Sequence, residues 1–151
     1  MNATIVFPNQ LFKSSPALSR KRKVFILQDP LFFSDTEYSA LFHKNKILLH
    51  LLSTYYYKQE LSDSGYDVQI VELEQLQNKN NYISFFKKNN ITEIYFCDPV
   101  DYVIAKRLEI ATKKLKLKTY KYETPLFMLS SEDVSNEFSN KKFHFMAAFY
   151  K

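Results

Sequence analysis

Glycine is nearly absent: the 151-residue chain holds one, Gly65, so neither a G-x-G-x-x-G turn nor a Walker A loop can be written anywhere in it. A nucleotide or flavin bound by these residues must be held without a glycine cradle. Cysteine is equally scarce. With Cys97 alone, no disulfide forms within the chain, and no four-cysteine zinc or iron–sulfur site can be built from it. No apolar run reaches the length that spans a bilayer, and the opening MNATIVFPNQ lacks the basic and apolar segments of a signal peptide. The expected location is the cytoplasm, with no membrane partner.

Aromatic residues are plentiful. Phe and Tyr number 14 and 11, and hydrophobic residues make up 46% of the chain, a composition for a packed core rather than disorder. A single domain of this length can bury roughly 70% of its unfolded surface. The net charge of +5 permits an acidic partner without demanding nucleic acid. The sharpest basic run, Arg20 to Lys23, reads as a solvated loop ahead of a strand, because no aromatic stacking platform is interleaved with it.

Changes of period divide the chain. Ala3 to Phe7, Lys23 to Leu27, Tyr66 to Leu73 and Ile91 to Cys97 are short β-branched and aromatic runs bounded by turn formers, hence strands. Lys118 to Glu123 alternates polar residues with Tyr120 and Tyr122, as a half-open edge strand does. Between them, Ile47, Leu48, Leu51, Leu52 and Tyr55 form an apolar stripe on a helix from His43 to Leu61. The series Val100, Ile104, Leu108, Ala111 and Leu115 marks a second helix from Tyr102 to Leu115, with a basic C-terminal end. Asn81 to Lys88 reads as a shorter one. Gly65 sits just past a helix, where a left-handed residue closes it. Only the first link, PNQLFKSSPALSRKR, looks like loop.

Strands alternating with helices predict an α/β, doubly wound, five-stranded parallel sheet of order 3-2-1-4-5 with helices on both faces. Its crevice opens where the first strand meets the fourth. The strand ends facing it are Asn9 and Gln10 on the first and Asp98 and Pro99 on the fourth, with Gln28, Asp29 and Pro30 alongside. Two phrases, KVFILQDPLFF and ITEIYFCDPVDYV, end a strand in Asp-Pro. Asp98 as N-cap with Pro99 at the first helical position explains the second one structurally. Three such ends clustered at the switch point favour a ligand site.

The segments IVFPNQLF, FILQDPLFF, FHKNKILLHLLSTYYYKQELSDSGYDVQIVE and FHFMAAFYK resemble the N-terminal portion of the photolyase-related proteins, the group that includes iron–sulfur bacterial cryptochromes and photolyases. The resemblance runs in order over essentially the whole chain. It implies a Rossmann-like domain that can hold a ribityl-lumazine antenna chromophore, here residues 1–125. Residues 126–151 would form an extension leading toward a helical domain that carries FAD, an iron–sulfur cluster and DNA binding. The chain stops at Lys151, so it is expected to be an N-terminal fragment or truncated relative, without catalysis of its own. A longer protein would resemble deoxyribodipyrimidine photolyase, a lyase of DNA repair, and would reach DNA only through that missing part. Asn9 departs from the family, where an acidic residue commonly precedes the Gln.

Expected chromophore contacts are Asn9, Gln10, Gln28, Asp29 and Asp98, with Phe32 or Phe33 as an apolar wall; Gln10 can both donate to and accept from an amide-like ring edge. No catalytic or metal-binding residue is assigned. His43 and His50 share a helix face but have no carboxylate or cysteine at ligand spacing, and Cys97 reads as a buried strand residue. Packing is expected to claim at least two of Tyr55, Tyr56 and Tyr57. The apolar tail from Phe143 to Tyr150 is expected to pack on the domain or self-associate. Two further classes stay open: a nucleotide-binding enzyme domain, and an interaction module with a vestigial ligand site.

Overall fold

A computed structural model describes residues 1–35, 37–38, 42–76 and 81–139. Five strands, β1 (Asn2–Val6), β2 (Lys23–Leu27), β3 (Val68–Val71), β4 (Glu93–Cys97) and β5 (Lys118–Tyr122), form one sheet. All its pairings are parallel, and the order is β3-β2-β1-β4-β5. The helices are α1 (Lys44–Asp63), α2 (Asn81–Lys88), α3 (Tyr102–Leu115) and α4 (Ser131–Phe138), with short 3-10 turns at Pro30–Phe32 and Leu73–Gln75. The doubly wound sheet expected from the sequence is the one observed.

Strand alternation sends the two sets of side chains to opposite faces. Ala3, Ile5 and Phe7, with Phe25, Leu27, Ile94 and Phe96, pack against Tyr82, Phe85 and Phe86 of α2 and Ile104, Leu108 and Ala111 of α3. On the other face Val6, Val24, Ile26 and Ile70 meet Tyr57 and Leu61 of α1. The first link is loop, as expected, and it covers part of that second face in place of a helix. Leu11 and Leu18 pack there, the Tyr57 hydroxyl donates to the Phe12 carbonyl at 2.8 Å, and Thr4 Oγ1 donates to the buried Ala17 carbonyl at 3.0 Å.

Three sequence readings need correcting. First, of the stripe Ile47, Leu48, Leu51, Leu52 and Tyr55, Ile47 and Leu51 are half-buried and the other three exposed, and the residues α1 buries are Thr54, Tyr57 and Leu61. Apolar side chains occupy opposite sides of this helix, so periodicity marked a helix without identifying its inner face. Of the three tyrosines only Tyr57 is buried. Second, Asp98 does not cap α3: Asp101 does, accepting from the Val103 and Ile104 amides. Asp98-Pro99-Val100 is a separate turn, with Val100 exposed at φ 63°. Third, the basic run is not all solvated loop. Arg22 donates to the Ala17 carbonyl at 3.0 Å and lies 3.7 Å over the Tyr95 ring.

Gly65, at φ 83°, closes α1 as expected: its amide bonds Ser62, and the Tyr66 amide bonds Leu61. Helix α4 has a capping box between Ser130 and Asp133 and buries no residue. The tail from Phe143 to Tyr150 lies outside the described residues. Among the described residues no helix is long and apolar enough to cross a membrane.

Candidate functional site

The carboxyl ends of β1, β2 and β4 come together at one edge of the sheet, because parallel strands all end on the same side and the chain reverses its winding between β1 and β4. Gln10, only 2% exposed, reaches across this switch point. Its Nε2 donates to the Asp98 carbonyl at 2.7 Å and the Cys97 carbonyl at 3.3 Å. Asn9 adds a bond from Nδ2 to the Pro99 carbonyl at 3.3 Å. Side-chain amides therefore satisfy carbonyls freed at the end of β4, and they tie the loop after β1 to the turn before α3.

The Asp98 carboxylate faces the other way. It accepts from the Val100 amide at 3.1 Å and from Lys121 Nζ at 3.0 Å. Burial works to raise this carboxyl, but Val100 and Lys121 outweigh it and hold it below its ordinary value.

On β2 the two site residues diverge. Gln28, also 2% exposed, accepts from the Leu73 amide at 3.2 Å through Oε1. Asp29, fully buried, caps the Pro30–Phe32 turn through the Leu31 amide. It also accepts from the Tyr82 hydroxyl at 2.5 Å and from Arg107 Nη1 at 2.8 Å. The same guanidinium bonds Asp35 and lies 3.7 Å from Glu37. Burial pushes the Asp29 carboxyl above its ordinary value, against the lowering influence of Tyr82 and Arg107. Burial likewise drives Tyr82 well up, helped by the Asp29 charge. For Asp35 burial works to raise the carboxyl, but Arg107 and the Tyr38 and Glu37 amides outweigh it and the net shift is downward.

Phe32 and Phe33 form an aromatic wall with His50 of α1, at ring-centroid distances of 5.6 and 6.0 Å. Burial and the Lys46 charge hold the His50 imidazole below its ordinary value, so it packs as a neutral ring. His43 caps α1, its Nδ1 accepting from the Asn45 amide at 3.2 Å. Among the described residues no group of three or more His, Cys, Asp or Glu is placed to hold a metal ion.

Two polar atoms at these strand ends are buried without a hydrogen-bond partner, Asn9 Oδ1 on β1's end and Gln28 Nε2 on β2's. One is an acceptor and the other a donor. The expected residues thus fall into an Asn9–Gln10–β4 clamp, a Gln28–Asp29 pair on the next strand, and an aromatic wall beside α1. Sequence reasoning missed Arg107, Tyr82 and Asp35. Arg107 is one of four basic residues in the periodic helix α3, beside Lys106, Lys113 and Lys114, and nothing in that period distinguishes it from a solvated cation.

Comparison with known proteins matches the chain to a family and to a relative. The family model described as deoxyribodipyrimidine photo-lyase-related protein matches residues 4–151. An uncharacterized protein of Acanthamoeba polyphaga mimivirus is 32% identical over 158 residues, covering 99% of this chain and 79% of that relative.

Proposed function

The chain belongs to the deoxyribodipyrimidine photo-lyase-related protein family, and from that premise we propose that residues 1–125 act as an antenna-chromophore domain of the kind found in iron–sulfur bacterial cryptochromes and photolyases. In this reading residues 126–151 lead toward a helical portion carrying FAD and an iron–sulfur cluster, through which DNA would be reached. The observation that supports it is a pair of unpartnered polar atoms at the ends of neighbouring strands, Asn9 Oδ1 after β1 and Gln28 Nε2 after β2. Buried polar atoms are ordinarily satisfied, and each one left alone costs about 1–3 kcal/mol. A ribityl-lumazine ring presents both a donor and an acceptor along an amide-like edge, which matches one of each.

When bound, such a ring absorbs in the near-UV and blue and passes the excitation to a neighbouring flavin. The chain's own residues do the holding. Gln28 would donate, Asn9 would accept, and Phe32 and Phe33 would bound the ring on its apolar side. Gln10 Nε2 is engaged by the Cys97 and Asp98 carbonyls, so its role is to set the width of the crevice. With a single glycine no phosphate cradle is available, which disfavours an adenylate-handling domain.

A second reading, an interaction module with a vestigial site, is favoured by the clamp itself, because three bonds from Asn9 and Gln10 draw the crevice walls together. Titration with 6,7-dimethyl-8-ribityllumazine, followed by absorbance and fluorescence, separates the two. The antenna reading expects binding that Gln28→Leu weakens roughly tenfold to a hundredfold, the equivalent of one buried hydrogen bond. Absence of binding to the unaltered chain leaves the module reading standing.

A further inference from the structure

Helix α1 is apolar on the side that faces away from its own sheet. Leu48, Leu49, Leu52, Tyr55 and Tyr56 are 53, 64, 61, 48 and 72% exposed, whereas the core-facing line is Thr54, Tyr57 and Leu61. At about 100° per residue these five side chains fall within an arc of roughly 120°, directly opposite the buried line and centred on Leu52. A helix that is hydrophobic on both sides ordinarily has both sides covered. Beside the stripe, between Leu11 of the first loop and Leu49, Leu52, Tyr56 and Glu60, lies an open groove of about 390 Å³.

The charges on α1 say what kind of surface covers it. Lys46 lies near the N-terminus and Glu60 near the C-terminus, on the same flank of the stripe. A second α1 laid antiparallel about a two-fold axis near Leu52 and Ser53 brings Lys46 of each copy level with Glu60 of the other. On the opposite flank Lys44 comes level with the neutral Ser62. Leu49 falls beside Tyr56 of the other copy, Leu52 meets its own equivalent, and the two helix dipoles run in opposition. The patch is thus self-complementary under the operation that a closed dimer requires. We infer that the outer face of α1 is a homodimer interface, in which two copies pack α1 antiparallel through Leu48, Leu49, Leu52, Tyr55 and Tyr56 with Lys46–Glu60 pairs at either end. This inference is independent of chromophore binding.

The test is sedimentation velocity on the 151-residue chain over a wide concentration range. A concentration-dependent dimer is expected, and Leu52→Glu should render it monomeric while leaving the far-UV circular dichroism unchanged, because Leu52 touches no core. Lys46→Glu and Glu60→Lys should each weaken the dimer about tenfold, and the combined variant should recover it by restoring the pair with reversed sign. Leu52→Cys should cross-link the dimer on mild oxidation, whereas the unaltered chain, whose Cys97 is buried, should not. A chain that stays monomeric throughout overturns the inference, as does a dimer indifferent to Leu52→Glu or charge reversals that show no mutual rescue. Dimerisation that appears only after removal of residues 140–151 also overturns it, because the chain's own tail would then be the natural cover.

Discussion

Arg107 on α3 and Asp29 at the end of β2 stand 78 positions apart in sequence and 2.8 Å apart in the fold. The guanidinium continues to Asp35, so one side chain neutralises two buried carboxylates and pins the segment after β2 to the opposite helix. Removing the cation leaves Asp29 buried and uncompensated. Arg107→Met is therefore expected to lower unfolding free energy by about 3 kcal/mol or more, measured by urea denaturation. Adding Asp29→Asn should return a substantial part of the loss, because the stranded charge is then gone. Simple additivity of the two changes would show that the pair is not coupled.

Two groups of opposite type should contribute separable steps to acid sensitivity. The Asp35 carboxyl is held below its ordinary value of 3.8, so its stabilising contribution is complete above that pH and is lost as pH falls through the folded value. Asp35→Asn should flatten this lowest limb of the stability curve. His50 is also depressed below its ordinary 6.5, but as a base. Below pH 6.5 the unfolded chain takes up a proton that the folded one resists, and stability declines until the folded value is passed. His50→Phe should remove this higher step and leave the Asp35 step intact.

The Gln10 clamp makes its own prediction. Gln10→Ala deletes the side-chain amide that bonds the Cys97 and Asp98 carbonyls, at about 1–3 kcal/mol in urea denaturation. Gln10→Glu should be worse than alanine above the carboxylate range, because it places an acceptor-only group against two carbonyl oxygens. A glutamate variant as stable as the native chain at neutral pH would show that the clamp is not maintained in solution.

On β4 and β5, Tyr95 and Tyr120 stack at 4.3 Å and 8°, with Arg22 3.7 Å over the Tyr95 ring and Lys118 Nζ 5.0 Å from the Tyr120 ring. Cations flank the pair, so it is a self-contained ladder rather than a platform for nucleic-acid bases. Arg22→Ala should cost about 1–2 kcal/mol by loss of this contact and of the Ala17 bond. Arg22→Lys should recover little, because an ammonium cannot lie flat on the ring and bond the carbonyl together.

The two sides of α1 should respond differently to truncation. Leu61→Ala opens a cavity beside Val6 and Ile26 and should cost about 2–5 kcal/mol. Leu52→Ala at low protein concentration should stay within about 0.5 kcal/mol. Equal losses would place Leu52 in the core.

Strand order, helix positions and the Gly65 stop were legible in the sequence because each rests on local chemistry. Lys23 to Leu27 and Glu93 to Cys97 are β-branched and aromatic runs, Asn81–Lys88 has helical spacing, and a parallel α/β chain has few ways to wind. The switch point was legible too, since strand order alone brings Gln10 beside Asp98. What the sequence left open was orientation and pairing. Period locates a helix but cannot choose between two apolar sides, so only packing decided that Leu61 faces the sheet while Leu52 faces out. A capping aspartate at 98 or at 101 satisfies the same local rule, and the turn at Val100 decided for Asp101. Arg107 reads as one more surface cation until the fold carries it to Asp29. Such a pairing depends on distances between elements remote in the chain, and those distances exist only once the sheet has assembled.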